Sequence, residues 1–72
     1  MTDHITQGAV KIIELIGVSE KSLEDAIQQA VTKAAETISG ITGVEVMRQT
    51  ATVHDGRIQQ FRVNVRIAFV VQ

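Results

Sequence analysis

The feature that most limits the fold of this chain is an alternation of apolar and other side chains over residues 58 to 71. From residue 61 onward every second position carries an apolar side chain, namely Phe61, Val63, Val65, Ile67, Phe69 and Val71. Because successive side chains of a β-strand point to opposite faces of a sheet, this pattern predicts a long strand with one apolar face. Arg62, Asn64 and Arg66 occupy intervening positions, so the other face is polar and becomes apolar only near its end.

A hairpin is predicted immediately before this strand. Residues 54 to 57 read HDGR, and an Asp-Gly pair between two strand patterns is the strongest short-range signal of a tight turn. Residues 44 to 53, VEVMRQTATV, predict the strand that enters the turn. We expect the two strands to pair antiparallel.

The first half of the chain predicts a strand followed by a helix. Residues 9 to 16, AVKIIELI, are apolar on both faces, as in strands covered on both sides, and Gly17 is expected to end this strand. Residues 22 to 25, SLED, form a capping-box pattern, in which Ser22 accepts from the backbone N–H of Asp25 and the Asp25 carboxylate reaches back. An apolar stripe with spacings of three and four follows, and the helix should stop near residues 39 and 40.

The resulting element order is β-α-β-β. It indicates an α+β fold, with a three-stranded antiparallel sheet and one helix packed across one face. We expect residues 1 to 8 to form an N-terminal tail and residues 9 to 72 a single domain. The second face of the sheet, half apolar and half basic, is left open, which predicts a subunit interface, a ligand surface, or both.

Composition favours an oligomer and excludes several classes of partner. The chain has 72 residues, no cysteine and 44% apolar residues, so a core this small needs support from other subunits rather than from disulfides. A net charge of −1 and the absence of tryptophan and tyrosine argue against nucleic-acid binding. No signal peptide or spanning segment is evident, so we expect a soluble, cytoplasmic protein without a membrane partner.

Catalytic chemistry has few candidates. His4 lies in the polar tail, and His54 precedes the predicted turn, where histidines are commonly solvated. No pattern brings a serine near either histidine, and IGVSEKS, residues 16 to 22, resembles a plain strand-to-helix connection more than a phosphate loop. We therefore expect a protein that is not an enzyme.

The strand and turn carboxylates Glu14, Glu45 and Asp55 allow two interpretations. Copies of one carboxylate could surround a calcium or magnesium ion in a symmetric assembly. Pairing with arginines across strands, through Arg48, Arg62 or Arg66, is the simpler interpretation.

Two arginines of the last strand, Arg62 and Arg66, also leave two interpretations open. On alternate positions of one face they could hold a phosphate or a carboxylate. They could equally form salt bridges between subunits with Glu14 or Glu45.

The segments KIIELIGVSEKSLEDAIQQAVTKAAETI, VEV and FRVNVRIAFVV together resemble the dodecins, in order, spacing and length, over about residues 10 to 71. The resemblance implies a β-α-β-β subunit, a hollow homododecamer of cubic symmetry and a non-enzymatic role. That role is the binding and storage of flavins such as riboflavin or FMN near the threefold axes.

Two positions depart from the family's flavin site. The family has a stacking tryptophan just before the second strand opens, where this chain has Gly43, and a glutamine in the last strand, where it has Arg62. Both changes predict weakened flavin binding. Our candidate ligand contacts are Gly43, Glu45, Arg48 and Arg62, and no residue is assigned to a metal. The alternative is a structural dodecamer with a lost flavin site, binding divalent cations such as calcium.

Overall fold

The computed structural model describes residues 7–71, which contain three strands and one helix. The elements in chain order are β1 (Val10–Ser19), α1 (Leu23–Ala35), β2 (Ile41–His54) and β3 (Arg57–Val70). The β-α-β-β order and the α+β class predicted from the sequence are therefore confirmed.

The three strands form one antiparallel sheet in the order β1-β3-β2. The central position of β3 explains its alternation, because its apolar face lies beneath the helix. Val63, Val65 and Ile67 are at most 1% exposed and pack with Ala26 and Ala30 of α1. The small helix side chains let the helix lie close to the sheet.

The start of α1 differs in one respect from the predicted capping box. Ser22 Oγ accepts from the backbone N–H of Asp25 at 2.9 Å, as predicted. The Asp25 carboxylate instead accepts from the buried hydroxyl of Ser19 at 2.6 Å. The predicted contact from this carboxylate back to the helix start is therefore wrong. Ser19 Oγ in turn accepts from the backbone N–H of Lys21 at 2.9 Å. Residues 19 to 25 thus form a strand-to-helix connection whose polar groups hydrogen-bond to one another.

Gly17 does not end the first strand, contrary to the sequence-based expectation. The strand continues to Ser19, and Gly17 lies opposite Val63 on the helix side of the sheet. A Cβ built on Gly17 would lie 1.9 Å from the carbonyl oxygen of Ala26. The glycine is therefore needed because the helix backbone crosses the strand at this point.

The helix ends earlier and the second strand begins earlier than predicted. The helix stops at Ala35, where the N–H of Glu36 bonds to the Lys33 carbonyl at 3.2 Å, a tightened final turn. The strand β2 begins at Ile41, because that residue already pairs with Phe69 of β3. Gly43 consequently lies within a strand rather than in a turn.

The hairpin prediction is confirmed. Asp55 and Gly56 connect β2 to β3 with φ angles of 51° and 76°. Two consecutive positive φ values are typical of a type I′ turn, in which Asp-Gly is a preferred pair.

The helix covers only part of the sheet. A helix of 13 residues is about 20 Å long, whereas a strand of 14 residues extends for about 46 Å. Val44 and Val46, on the helix side of β2, remain 42% and 38% exposed. Within residues 7–71, no helix is long and apolar enough to cross a bilayer.

Candidate functional site

The face of the sheet opposite the helix, called here the open face, carries all four candidate ligand contacts. The register sets its side chains in rows across β1, β3 and β2. Four successive rows are Ile12–Ala68–Gly43, Glu14–Arg66–Glu45, Ile16–Asn64–Arg48 and Val18–Arg62–Thr50. Directly opposed residues of antiparallel strands share a face, so the predicted contacts belong to one surface.

A β-bulge at Met47 brings Arg48 to this surface. Val46 pairs with Val65 and Arg48 with Asn64, so Met47 is an extra residue in β2. Simple alternation would have put Arg48 on the same side as Val46 and opposite to Glu45. The bulge shifts the phase by one residue and places Glu45 and Arg48 on the same face.

Gly43 leaves open space on this face. It lies opposite Ala68, and a Cβ built on it meets no atom within 4 Å. Because its φ is not positive, a side chain would not strain the backbone there.

The candidate contacts form two separate parts of the open face. Arg48 and Arg62 occupy neighbouring rows, within reach of the same small group. Gly43 is far from Arg62, because Ala68 and Arg62 are six positions apart on β3, or about 20 Å. A flavin ring does not span that distance within one chain.

The two strand carboxylates, Glu14 and Glu45, differ in whether they form an ion pair with Arg66. Arg66 Nε donates to Glu14 Oε1 at 3.1 Å, as cross-strand pairing predicted. Glu45 lies opposite Arg66 on its other side, yet within residues 7–71 it makes no ion pair shorter than 4 Å. The expected arginine pairing is therefore confirmed for Glu14 and wrong, within one chain, for Glu45.

The side chains at the hairpin tip are exposed to solvent, as predicted for His54. His54 Nε2 lies 3.3 Å from Asp55 Oδ2, and both side chains are more than two thirds exposed. Asp55 thus neighbours a histidine rather than one of the predicted arginines. His4 lies outside the described residues.

A shallow pocket on the open face adds residues that the sequence analysis did not assign to the site. Its volume is about 620 Å³. It is lined by Glu14, Leu15, Ile16, Met47, Arg48, Asn64 and Val65, and Arg62 is not among these residues. Asn64 was placed on the polar face by its alternation, but only the bulge brings Arg48 opposite it.

Comparison with known proteins identifies the family. The sequence profile of the dodecins matches residues 9–72. This chain belongs to the dodecin family. A curated relative, the dodecin of Thermus thermophilus, is 32% identical over 59 residues, which cover 82% of this chain and 86% of the relative.

Solved dodecin structures agree with the fold. An arginine-to-alanine mutant of the T. thermophilus dodecin has a TM-score of 0.88 at 29% identity, covering 92% of this chain and 98% of that chain. The calcium dodecin of Mycobacterium tuberculosis, described as having a novel calcium-binding site, has a TM-score of 0.79 at 26% identity. That match covers 90% of this chain and 93% of the mycobacterial chain.

Proposed function

We propose that this dodecin forms a homododecamer and binds a flavin-type small molecule on its open face, as a binding and storage protein without catalytic activity. The observation that carries the proposal is the shared location of Gly43, Glu45, Arg48 and Arg62 on a sheet face that the helix leaves uncovered. We also propose that residues 9 to 72 form one domain, which is the ligand-binding subunit of the assembly.

Exposed apolar side chains support the assembly. On the open face, β1 presents an apolar strip in which Ile12 and Ile16 are each 50% exposed. On the opposite face, Val44 and Val46 extend beyond the cover of the helix. Apolar surface on both faces of one thin subunit favours burial against further copies.

The separation within the open face also favours an assembly. A ring-sized ligand that touches both the Gly43 region and Arg62 must take them from two different copies. A site completed by a second subunit couples ligand binding to assembly. Flavin affinity should be low, because Gly43 supplies no side chain to stack on the ring.

Titration of the purified protein with FMN tests the proposal. We expect the fluorescence anisotropy of FMN to rise on binding, at protein concentrations above the micromolar range, and the protein to elute from size-exclusion chromatography at the mass of twelve 7.8 kDa chains. Light scattering on the same sample fixes the mass independently. A monomer or dimer at neutral pH would contradict the assembly, and no retention of millimolar FMN by the protein in equilibrium dialysis would contradict flavin binding.

Calcium binding is a second candidate, favoured by the matched calcium dodecin and by Glu45, which has no ion-pair partner within residues 7–71. In that part of one chain, no three acidic or histidine side chains form a metal cluster. We therefore propose a calcium site that combines carboxylates from several copies.

Isothermal titration with calcium checks this candidate. We expect heat of binding for the native protein and its loss in Glu45→Gln, while Asp55→Asn at the hairpin tip serves as the matched control. Equal calcium binding by native protein and Glu45→Gln would exclude Glu45 as a ligand.

A further inference from the structure

The positive side chains of this protein are sorted by type between the two sides of the sheet. All four arginines, Arg48, Arg57, Arg62 and Arg66, lie on the open face. The three lysines lie elsewhere: Lys11 is opposite Phe69 on the helix side, Lys21 is in the connection before α1, and Lys33 is on α1. The open face therefore concentrates planar, bidentate donors.

Acidic side chains neutralise only one end of this arginine array. The rows across β1 and β2 contribute two carboxylates to the face, Glu14 and Glu45. Both lie in the row of Arg66, and Glu14 accepts from its guanidinium at 3.1 Å. Two carboxylates and one guanidinium give that row a net charge of −1, so Arg66 contributes no free positive charge to the face.

Neither Arg48 nor Arg62 has a carboxylate directly opposite it on a paired strand, although Arg48 lies one row from Glu14 and Glu45. Arg48 lies opposite Asn64, whereas Arg62 lies between Val18 and Thr50. Within residues 7–71, neither arginine makes an ion pair. They are diagonal neighbours on adjacent strands, close enough for their long side chains to reach one group. Two adjacent like charges repel each other, and an anion between them removes that repulsion.

Asn64 completes the donor set. It lies in the same row as Arg48, next to the row of Arg62, and is half-buried. Two guanidinium groups and an amide match the several acceptor oxygens of a phosphate better than a single carboxylate. The shallow pocket that Arg48 and Asn64 line is also lined by Glu14, whose carboxylate already accepts from Arg66, and Arg62 lies one row beyond this pocket.

We propose that Arg48, Arg62 and Asn64 form a phosphomonoester subsite, which makes this dodecin select phosphorylated ligands over their neutral counterparts. The choice of FMN as the larger ligand rests on the function proposed above, whereas phosphate binding by these three residues does not. Since a phosphomonoester becomes a dianion above a pKa of about 6, binding should weaken as the pH falls through that value.

Inorganic phosphate and a pair of flavins test the subsite together. Native protein, Arg48→Gln, Arg62→Gln and the control Arg57→Gln are compared by phosphorus NMR titration with phosphate and by fluorescence titration with FMN and riboflavin. We expect the first two variants to lose at least tenfold in affinity for phosphate, and to lose more affinity for FMN than for riboflavin. Arg57→Gln should match the native protein, and circular dichroism verifies that each variant is folded.

The possible failures are distinct. Phosphate binding that is lost in the Arg48 and Arg62 variants, with neither flavin bound, would support the subsite and reject the flavin function. Flavin binding with an FMN-to-riboflavin preference that no variant changes would reject the subsite and keep the flavin function. Equal losses in Arg57→Gln and Arg62→Gln would show a general charge effect and would also overturn the subsite. If a glutamine variant is unfolded, the corresponding lysine variant keeps the charge without the bidentate fork, and unchanged phosphate affinity in it would contradict the geometry proposed.

Discussion

Replacing Gly17 with alanine is expected to destabilise this protein by about 3 kcal/mol or more. The new Cβ would lie 1.9 Å from the Ala26 carbonyl oxygen and 2.9 Å from the carbonyl carbon. Both are backbone atoms of the helix, so no side-chain rotation relieves the overlap. Overpacking a core usually costs about 1–3 kcal/mol, and we expect a value at or above the upper end here.

The loss is large relative to the stability of a domain of this size. At about 0.05–0.15 kcal/mol per residue, a 72-residue domain has roughly 4–11 kcal/mol of unfolding free energy. Separation of α1 from β1 would also uncover Val63 and Val65, the centre of the core. Urea denaturation followed by circular dichroism measures the effect as a reduced midpoint or an absent transition.

Gly43→Ala is the matched control for this experiment. Gly43 is also a strand glycine, but a Cβ at that position meets nothing within 4 Å. Alanine should be neutral or slightly stabilising there, because it restricts the unfolded chain more than glycine does. A Gly17→Ala protein with the native urea midpoint would refute the close approach of helix and strand.

The contrast between these glycines shows what the sequence could predict about the fold. Strict alternation over residues 60 to 71 and the Asp-Gly turn are local signals, and both gave correct elements. The reason for Gly17 is not local, since it depends on a helix that begins six residues later and crosses the strand. A glycine at the end of an apolar run therefore resembled a strand terminus.

For the candidate site, the sequence predicted which residues contribute but not which of them are adjacent. The resemblance to the dodecins selected residues that the structure places on one face, including Gly43 and Arg62. The adjacency of Arg48 and Arg62 was not predictable, because it depends on the extra residue at Met47. Bulges are set by the pairing of two strands, and residue periodicity in one strand does not reveal them.

Replacing Gly43 with tryptophan should raise the affinity for FMN. Gly43 is the position at which the family resemblance implies the stacking aromatic, and open space above it accommodates a large side chain. Stacking of a flat ring on an aromatic side chain contributes about 1–3 kcal/mol, which corresponds to roughly a 5- to 150-fold gain. The fold should tolerate the change, because tryptophan is favoured in strands.

Fluorescence titration with FMN measures the gain, and Gly43→Leu separates stacking from simple burial. Leucine adds apolar surface at the same exposed position without a π-face, so we expect it to recover only a small part of the affinity. Equal gains from leucine and tryptophan would show that added apolar surface at position 43, rather than stacking, raises the affinity. No gain from a folded, assembled Gly43→Trp protein would mean that the ligand does not lie over Gly43. In that case the arginine pair, rather than the vacant stacking position, would define where small molecules bind on the open face.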